Sequence, residues 1–227
     1  MKNIVIIGGS RGIGKATIEK LIDNNHITNL SRTKPLLSHN NLIHYNIDVL
    51  PDELPDIEKV DTLIYCPGSI NLKPINRLSL EDFKSDFEIN VLGAVKSIQH
   101  FLPKLKKGSS PSILLFSTVA SKLGMPFHAS VATAKSAVEG LVKSLGAELA
   151  PVIRVNAIAP TVTDTSLASK LLRNEKTIAA IKDRHPLKDF LNPDEVAEMV
   201  SFLISDKAKS ISGQIIKMDC GIVSFKL

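Results

Sequence analysis

Two short stretches hold the residues whose types and spacing could do chemistry. The first, Gly8 to Gly14, reads GGSRGIG, after a short apolar run and before a segment with helical spacing. Glycines at 8, 12 and 14 let backbone N–H groups close on a phosphate, and the start of a helix adds favourable partial charge. The expected ligand is the pyrophosphate of a dinucleotide, touched by Gly8, Ser10, Arg11, Gly12, Ile13 and Gly14. The second stretch, His128 to Lys135, reads HASVATAK. Lys135 follows Val131 by one helical turn, so the two share a face. A lysine there can hold a ligand, whereas valine can neither give nor take a proton. His128, three residues before Val131, is a second-choice acid, since imidazole titrates near neutrality.

Which dinucleotide binds is a question of charge. A ribose 2′-OH is normally held by an acidic residue at the end of the second strand. That position falls on Leu30-Ser31-Arg32, where there is no acid. Arg32 offers a guanidinium suited to a 2′-phosphate, and Arg11 offers a second. NADP(H) is therefore expected over NAD(H).

These residues need a frame, and the hydrophobic pattern supplies one. Strand-like runs occupy Asn3–Ile7, Ile27–Leu30, Leu42–Ile47, Asp61–Cys66, Ser112–Ser117, Val152–Ile158 and Gln214–Met218. Helical spacing occupies Gly12–Asn24, Leu80–Leu102, Ala129–Leu149 and Pro193–Ile204, the last opened by Asn192 and Pro193 at cap and first position. Alternation of this kind implies βαβ units: an α/β single-domain Rossmann fold, a doubly wound, mainly parallel sheet of about seven strands with helices on both faces. The Leu30–Leu42 connection is short for a helix and suits one turn (Pro35–Ser38) or a loop. Nothing divides the chain, so residues 1–227 read as one domain.

In this order the motifs resemble the short-chain dehydrogenase/reductase family. Gly8, Gly12 and Gly14 match its TGxxxGxG fingerprint, with Ile7 in the threonine position. Asp48-Val49 resembles its adenine-contacting pair, Cys66-Pro67-Gly68 the end of its NNAG motif, and Asn90 its helix asparagine. Pro160 matches the proline of its nicotinamide-lining motif, with Thr161 replacing glycine, and SGQIIKMDCG resembles its last strand and turn. Its YxxxK motif puts the lysine at Lys135 and the tyrosine at Val131; thirteen residues before Val131, where the serine is expected, stands Thr118. The resemblance implies a cofactor groove that also includes Thr163 and Thr165, and a catalytic set reduced to Asn90, Thr118 and Lys135. Lys135 would hold the nicotinamide ribose, with no phenol left to tune. Tyr65 takes an asparagine's place in the NNAG motif and reads as a packing residue. The implied activity is NADPH-dependent reduction of a carbonyl or oxidation of an alcohol with an altered proton donor. The alternative is an impaired NADP(H)-binding scaffold, sensor or partner subunit. Residues 163–192 resemble the variable substrate region, with Leu167, Leu171, Leu172, Ile178 and Ile181 as an apolar face. Family members commonly pair through the long helices, so a homotetramer or homodimer is expected.

Composition narrows the partners. Hydrophobic residues make up 44% and charged ones 22%, a globular balance. The net charge of +5 comes from scattered lysines and arginines, and with no Trp and two Tyr there is no stacking platform for nucleic acid. No run is long and apolar enough for a membrane span, and NIVII is too short for a signal-peptide core. Two isolated cysteines point to neither a disulfide framework nor a metal site. The expected setting is the cytoplasm.

Overall fold

The computed structural model describes residues 1–224. Among the described residues, seven parallel strands form one sheet in the order β3-β2-β1-β4-β5-β6-β7. They are β1 Asn3–Ile7, β2 His26–Ser31, β3 Leu42–Asn46, β4 Thr62–Tyr65, β5 Ser112–Phe116, β6 Arg154–Pro160 and β7 Ile215–Met218. The α-helices that accompany them are α1 Gly12–Leu21, α2 Leu80–Phe87, α3 Gly93–Leu105, α4 Ala129–Glu148, α5 Glu175–Arg184 and α6 Pro193–Ile204.

Both faces of the sheet are apolar because the strands alternate between two cores. Val5, Ile7, Leu63, Ile113 and Leu115 face Ile98 and Phe101 of α3 and Val138 and Val142 of α4. Ile4, Ile6, Ile64 and Leu114 face Ile18 and Leu21 of α1 and Val196 and Val200 of α6. The strand order reverses between β1 and β4, where chains leave in opposite directions and open a crevice at the carboxyl ends.

One expectation about elements is revised, and the alternative left open between β2 and β3 resolves to the loop. The stretch Leu80–Leu102, expected as one helix, is broken by a π turn at Glu88–Leu92. The wider turn rotates the downstream face, so Phe87 is exposed while Val91 and Ile98 are buried. The link from β2 to β3 is a loop with no helical turn at Pro35–Ser38, and the link from β3 to β4 also carries no α-helix. As a result Ile43 and Tyr45 on the edge strand stay exposed. Among the described residues no helix is long and apolar enough to cross a membrane.

Candidate active site

The loop between β1 and α1 is shaped by close approach. Gly8 and Gly12 have φ of 80° and 52°, values that favour glycine. A Cβ on Gly14 would strike the Gly8 carbonyl, so the helix start lies directly on the strand end. Arg11 stands at the N-cap of α1 with no side-chain cap, and the first turn holds no acid. Its amides therefore keep their capacity for an anion. The turn touches two other parts of the predicted groove: a Cβ on Gly8 would lie 3.1 Å from Pro67, and one on Gly12 3.1 Å from Thr165.

Farther out along the carboxyl edge, Ser31 ends β2, Arg32 follows it, and Asp48 follows β3. Ser31 is buried and its hydroxyl donates to the Thr33 carbonyl at 2.9 Å. Arg32 is exposed and lies 3.8 Å from the Asp48 carboxylate. The Val49 side chain turns inward to the core.

The crevice deepens into an apolar cleft of about 170 Å³. Predicted residues Ile13, Cys66, Gly68, Thr118, Lys135, Pro160 and Thr163 all reach it, together with Val131 and His128. Lys135 is only 8% exposed, and its Nζ donates to the Phe116 carbonyl at 2.8 Å. Burial lowers its pKa to about 8, against the opposing pull of Asp86. The Cys66 thiol is pushed up to about 12 by burial and stays protonated.

Thr118 follows β5 and caps a short 3₁₀ turn. Its Oγ1 accepts from the Ala120 amide at 3.3 Å, which leaves the hydroxyl proton uncommitted. The neighbouring Ser117 hydroxyl instead donates to Glu139 at 2.8 Å. Burial opposes ionisation of Glu139, but hydrogen bonds from Ser121, Lys122 and Ser117 outweigh it and hold the carboxyl below its usual range. Of the two adjacent hydroxyls, Thr118 is the one free to meet a substrate.

Asn90 sits inside the π turn, a distortion that often marks functional positions. Its Nδ2 donates to the Asp86 carbonyl at 2.7 Å and to Ser69 Oγ at 3.2 Å. Its Oδ1 is buried without a partner. A Cβ on Gly68 would fall 3.1 Å from that oxygen and 3.4 Å from Lys135 Nζ. The missing Cβ leaves a slot between an acceptor without a donor and a lysine with donors to spare. This slot and the uncapped glycine turn are what a dinucleotide with a pyrophosphate at one end and a ribose hydroxyl at the other requires.

Some neighbours gave no signal in the sequence. Ser69, Ile70, Val119 and Met125 also line the cleft. Beneath it, the fully buried Asp86 carboxylate accepts from Ser69, from Asn71 at 2.9 Å and from Ser130. Asp86 precedes Asn90 by one helical turn, a spacing that marks a shared face but no partner. Of the apolar residues in 163–192, Leu167 and Leu171 line the cleft; Ile181 is buried away from it. Among the described residues no cluster could hold a metal ion.

The fold and groove define a doubly wound α/β protein with a crevice at its topological switch point, the place where such sheets hold their ligands. Comparison with known proteins narrows this further. The family described as Enoyl-(Acyl carrier protein) reductase matches residues 52–223. A 3-oxoacyl-[acyl-carrier-protein] reductase of Thermotoga maritima is 33% identical over 73% of this chain and 67% of its own. Aldohexose dehydrogenase of Thermoplasma acidophilum superimposes with a TM-score of 0.90 at 27% identity, covering 99% of this chain and 95% of its own. ElxO with NADP bound superimposes at 0.88 with 25% identity, covering 99% and 100%. The chain belongs to the short-chain dehydrogenase/reductase family of oxidoreductases.

Proposed function

We propose that the protein is an NADP(H)-dependent oxidoreductase that reduces a carbonyl group, or oxidises the matching alcohol, without the family's phenolic proton donor. The observation that carries the reading is the convergence of Thr118, Lys135 and the slot at Asn90 and Gly68 on one cleft continuous with the glycine turn. A bound dinucleotide supplies or accepts the hydride. The α1 turn from Gly8 to Gly14 binds its pyrophosphate, and Pro160, Thr163 and Thr165 wall its nicotinamide end. Lys135 holds the ribose. Thr118 donates its free proton as a hydrogen bond to the substrate oxygen and orients it. The apolar cleft excludes water and favours an acyl or ring substrate. Residues 163–192 form the wall that reads it.

The phosphate preference rests on Arg32 and Arg11, with no acid at the end of β2. The NADP-bound relative supports the same choice. Titration calorimetry tests it. NADP(H) is expected to bind more tightly than NAD(H), and Arg32→Ala to remove about tenfold or more of that preference, the order of a charge-assisted contact. Tighter binding of NAD(H) sinks the assignment. Turnover of NADPH against ketones and 3-oxoacyl thioesters tests the reaction.

A second reading, an impaired NADP(H)-binding scaffold or partner subunit, is favoured by one observation: the buried Val131 has nothing to titrate. NADPH binding without turnover of any ketone would select it. Under either reading the chain works in the cytoplasm, where Cys66 and Cys220 stay reduced thiols.

A further inference from the structure

We propose that His128 is the proton donor of this site and takes the role for which position 131 has no phenol. The inference rests on the oxidoreductase reading above. His128 immediately precedes α4 and lines the cleft with Val131 and Lys135, three and seven residues on along one helix face. Its Nδ1 lies 2.7 Å from the Pro126 carbonyl. A carbonyl only accepts, so Nδ1 carries a proton in that bond and Nε2 remains for the cleft. That bond fixes ring orientation as a working imidazole requires. The residue before it, Phe127, has φ of 69°, a left-handed conformation that a bulky side chain adopts only under constraint. The chain is thus held in an unfavourable bend where it delivers His128 to the cleft.

The other candidates are occupied or elsewhere. Tyr65 turns its hydroxyl to the Ile89 carbonyl at 2.6 Å. Tyr45 stands on the exposed edge strand. His185 is fully buried with one ring nitrogen against Thr161 and the other against the Ile181 carbonyl. Lys135 gives one N–H to the Phe116 carbonyl and is assigned above to the ribose, and burial leaves Cys66 a weak acid. His128 also borders a shallower groove with Lys73, Pro74 and Phe127, an open route by which water can reload it.

The step balances simply. Imidazolium Nε2–H gives its proton to the carbonyl oxygen as hydride from the reduced dinucleotide reaches the carbonyl carbon. The C=O π pair becomes the O–H bond, and His128 is left as neutral imidazole with Nδ1–H still on Pro126.

Four proteins test this in single turnover with NADPH and a 3-oxoacyl N-acetylcysteamine thioester: the parent, His128→Gln, Val131→Tyr and the double variant. His128 makes no side-chain cap to α4, so its replacement leaves the helix start intact. His128→Gln is expected to slow reduction about 10²–10⁴-fold with NADPH affinity unchanged. In the Val131→Tyr background, where a phenol can give the proton instead, the same replacement is expected to cost less than about threefold. A fast Val131→Tyr beside an equally slow parent and His128→Gln overturns the proposal and leaves the oxidoreductase reading standing. No reduction by either the parent or Val131→Tyr, with NADPH bound to both, overturns that reading, and the donor falls with it. A readout without turnover is carbethoxylation of the cofactor-free protein by diethyl pyrocarbonate, mapped by mass spectrometry. His128 is expected to react as fast as the exposed His26 and to be shielded by NADP⁺ with the thioester. An unreactive His128 beside a reactive His26 overturns the assignment.

Discussion

Lys135 is a base held where its charge is unwelcome. Burial moves its pKa from 10.5 to about 8, so between those values the unfolded chain binds a proton that the folded chain does not. Stability therefore rises with pH across that window, and the full cost, about 3 kcal/mol, applies below pH 8. Lys135→Met removes the cost and also the bond to the Phe116 carbonyl, worth about 1 kcal/mol. The variant is expected to be more stable than the parent in urea at pH 7, with an advantage that shrinks toward pH 10.5. A parent more stable at pH 7 would refute the account. The same variant should bind NADP(H) more weakly, because the charge that weakens the fold is the one the proposed function assigns to the ribose.

At the scale of elements, the π turn between α2 and α3 decides where Asn90 points. Tyr65 ends β4 beneath it and donates to the Ile89 carbonyl, and Gly93 leaves room for the phenol that a Cβ would strike. Burial raises the Tyr65 pKa, so it stays a donor at all working pH values. Tyr65→Phe is expected to lower unfolding free energy by about 1 kcal/mol, the worth of one part-buried hydrogen bond. Chemical denaturation measures it, and a loss under about 0.5 kcal/mol would show that the turn holds without the phenol. The phenol thus serves Asn90 through packing, as the sequence suggested for Tyr65, and gives no proton.

For the whole molecule, the exposed apolar residues Leu80, Phe87 and Leu92 lie along the α2 and π-turn segment, and Phe127 just ahead of α4. These long-helix surfaces are where the family resemblance puts the subunit contact. Light scattering behind size-exclusion chromatography is expected to give a dimer or tetramer, and Phe87→Glu to shift it toward monomer, since a buried unpaired carboxylate disfavours the contact. A monomeric parent would refute the assembly.

The sequence by itself determined the seven strands and most of the helical stretches that flank them, though not α5, and it offered a register for the site. Apolar periodicity and glycine spacing are local properties, and counting from Lys135 to Val131 and Thr118 uses only the chain. It also marked Pro193–Ile204 at its observed ends, because Asn192 caps that helix in a local capping box. It did not show the π turn, since one extra residue in a turn leaves the apolar pattern of Leu80–Leu102 almost unchanged. It could not show that Ser117 is spent on Glu139 while Thr118 stays free, that Asp86 gathers Ser69, Asn71 and Ser130, or that His128 rather than Tyr65 faces the cleft. Each of those depends on side chains far apart in the chain meeting at one end of the sheet. Only the tertiary structure decides which hydrogen-bonding groups find partners there and which are left for a ligand.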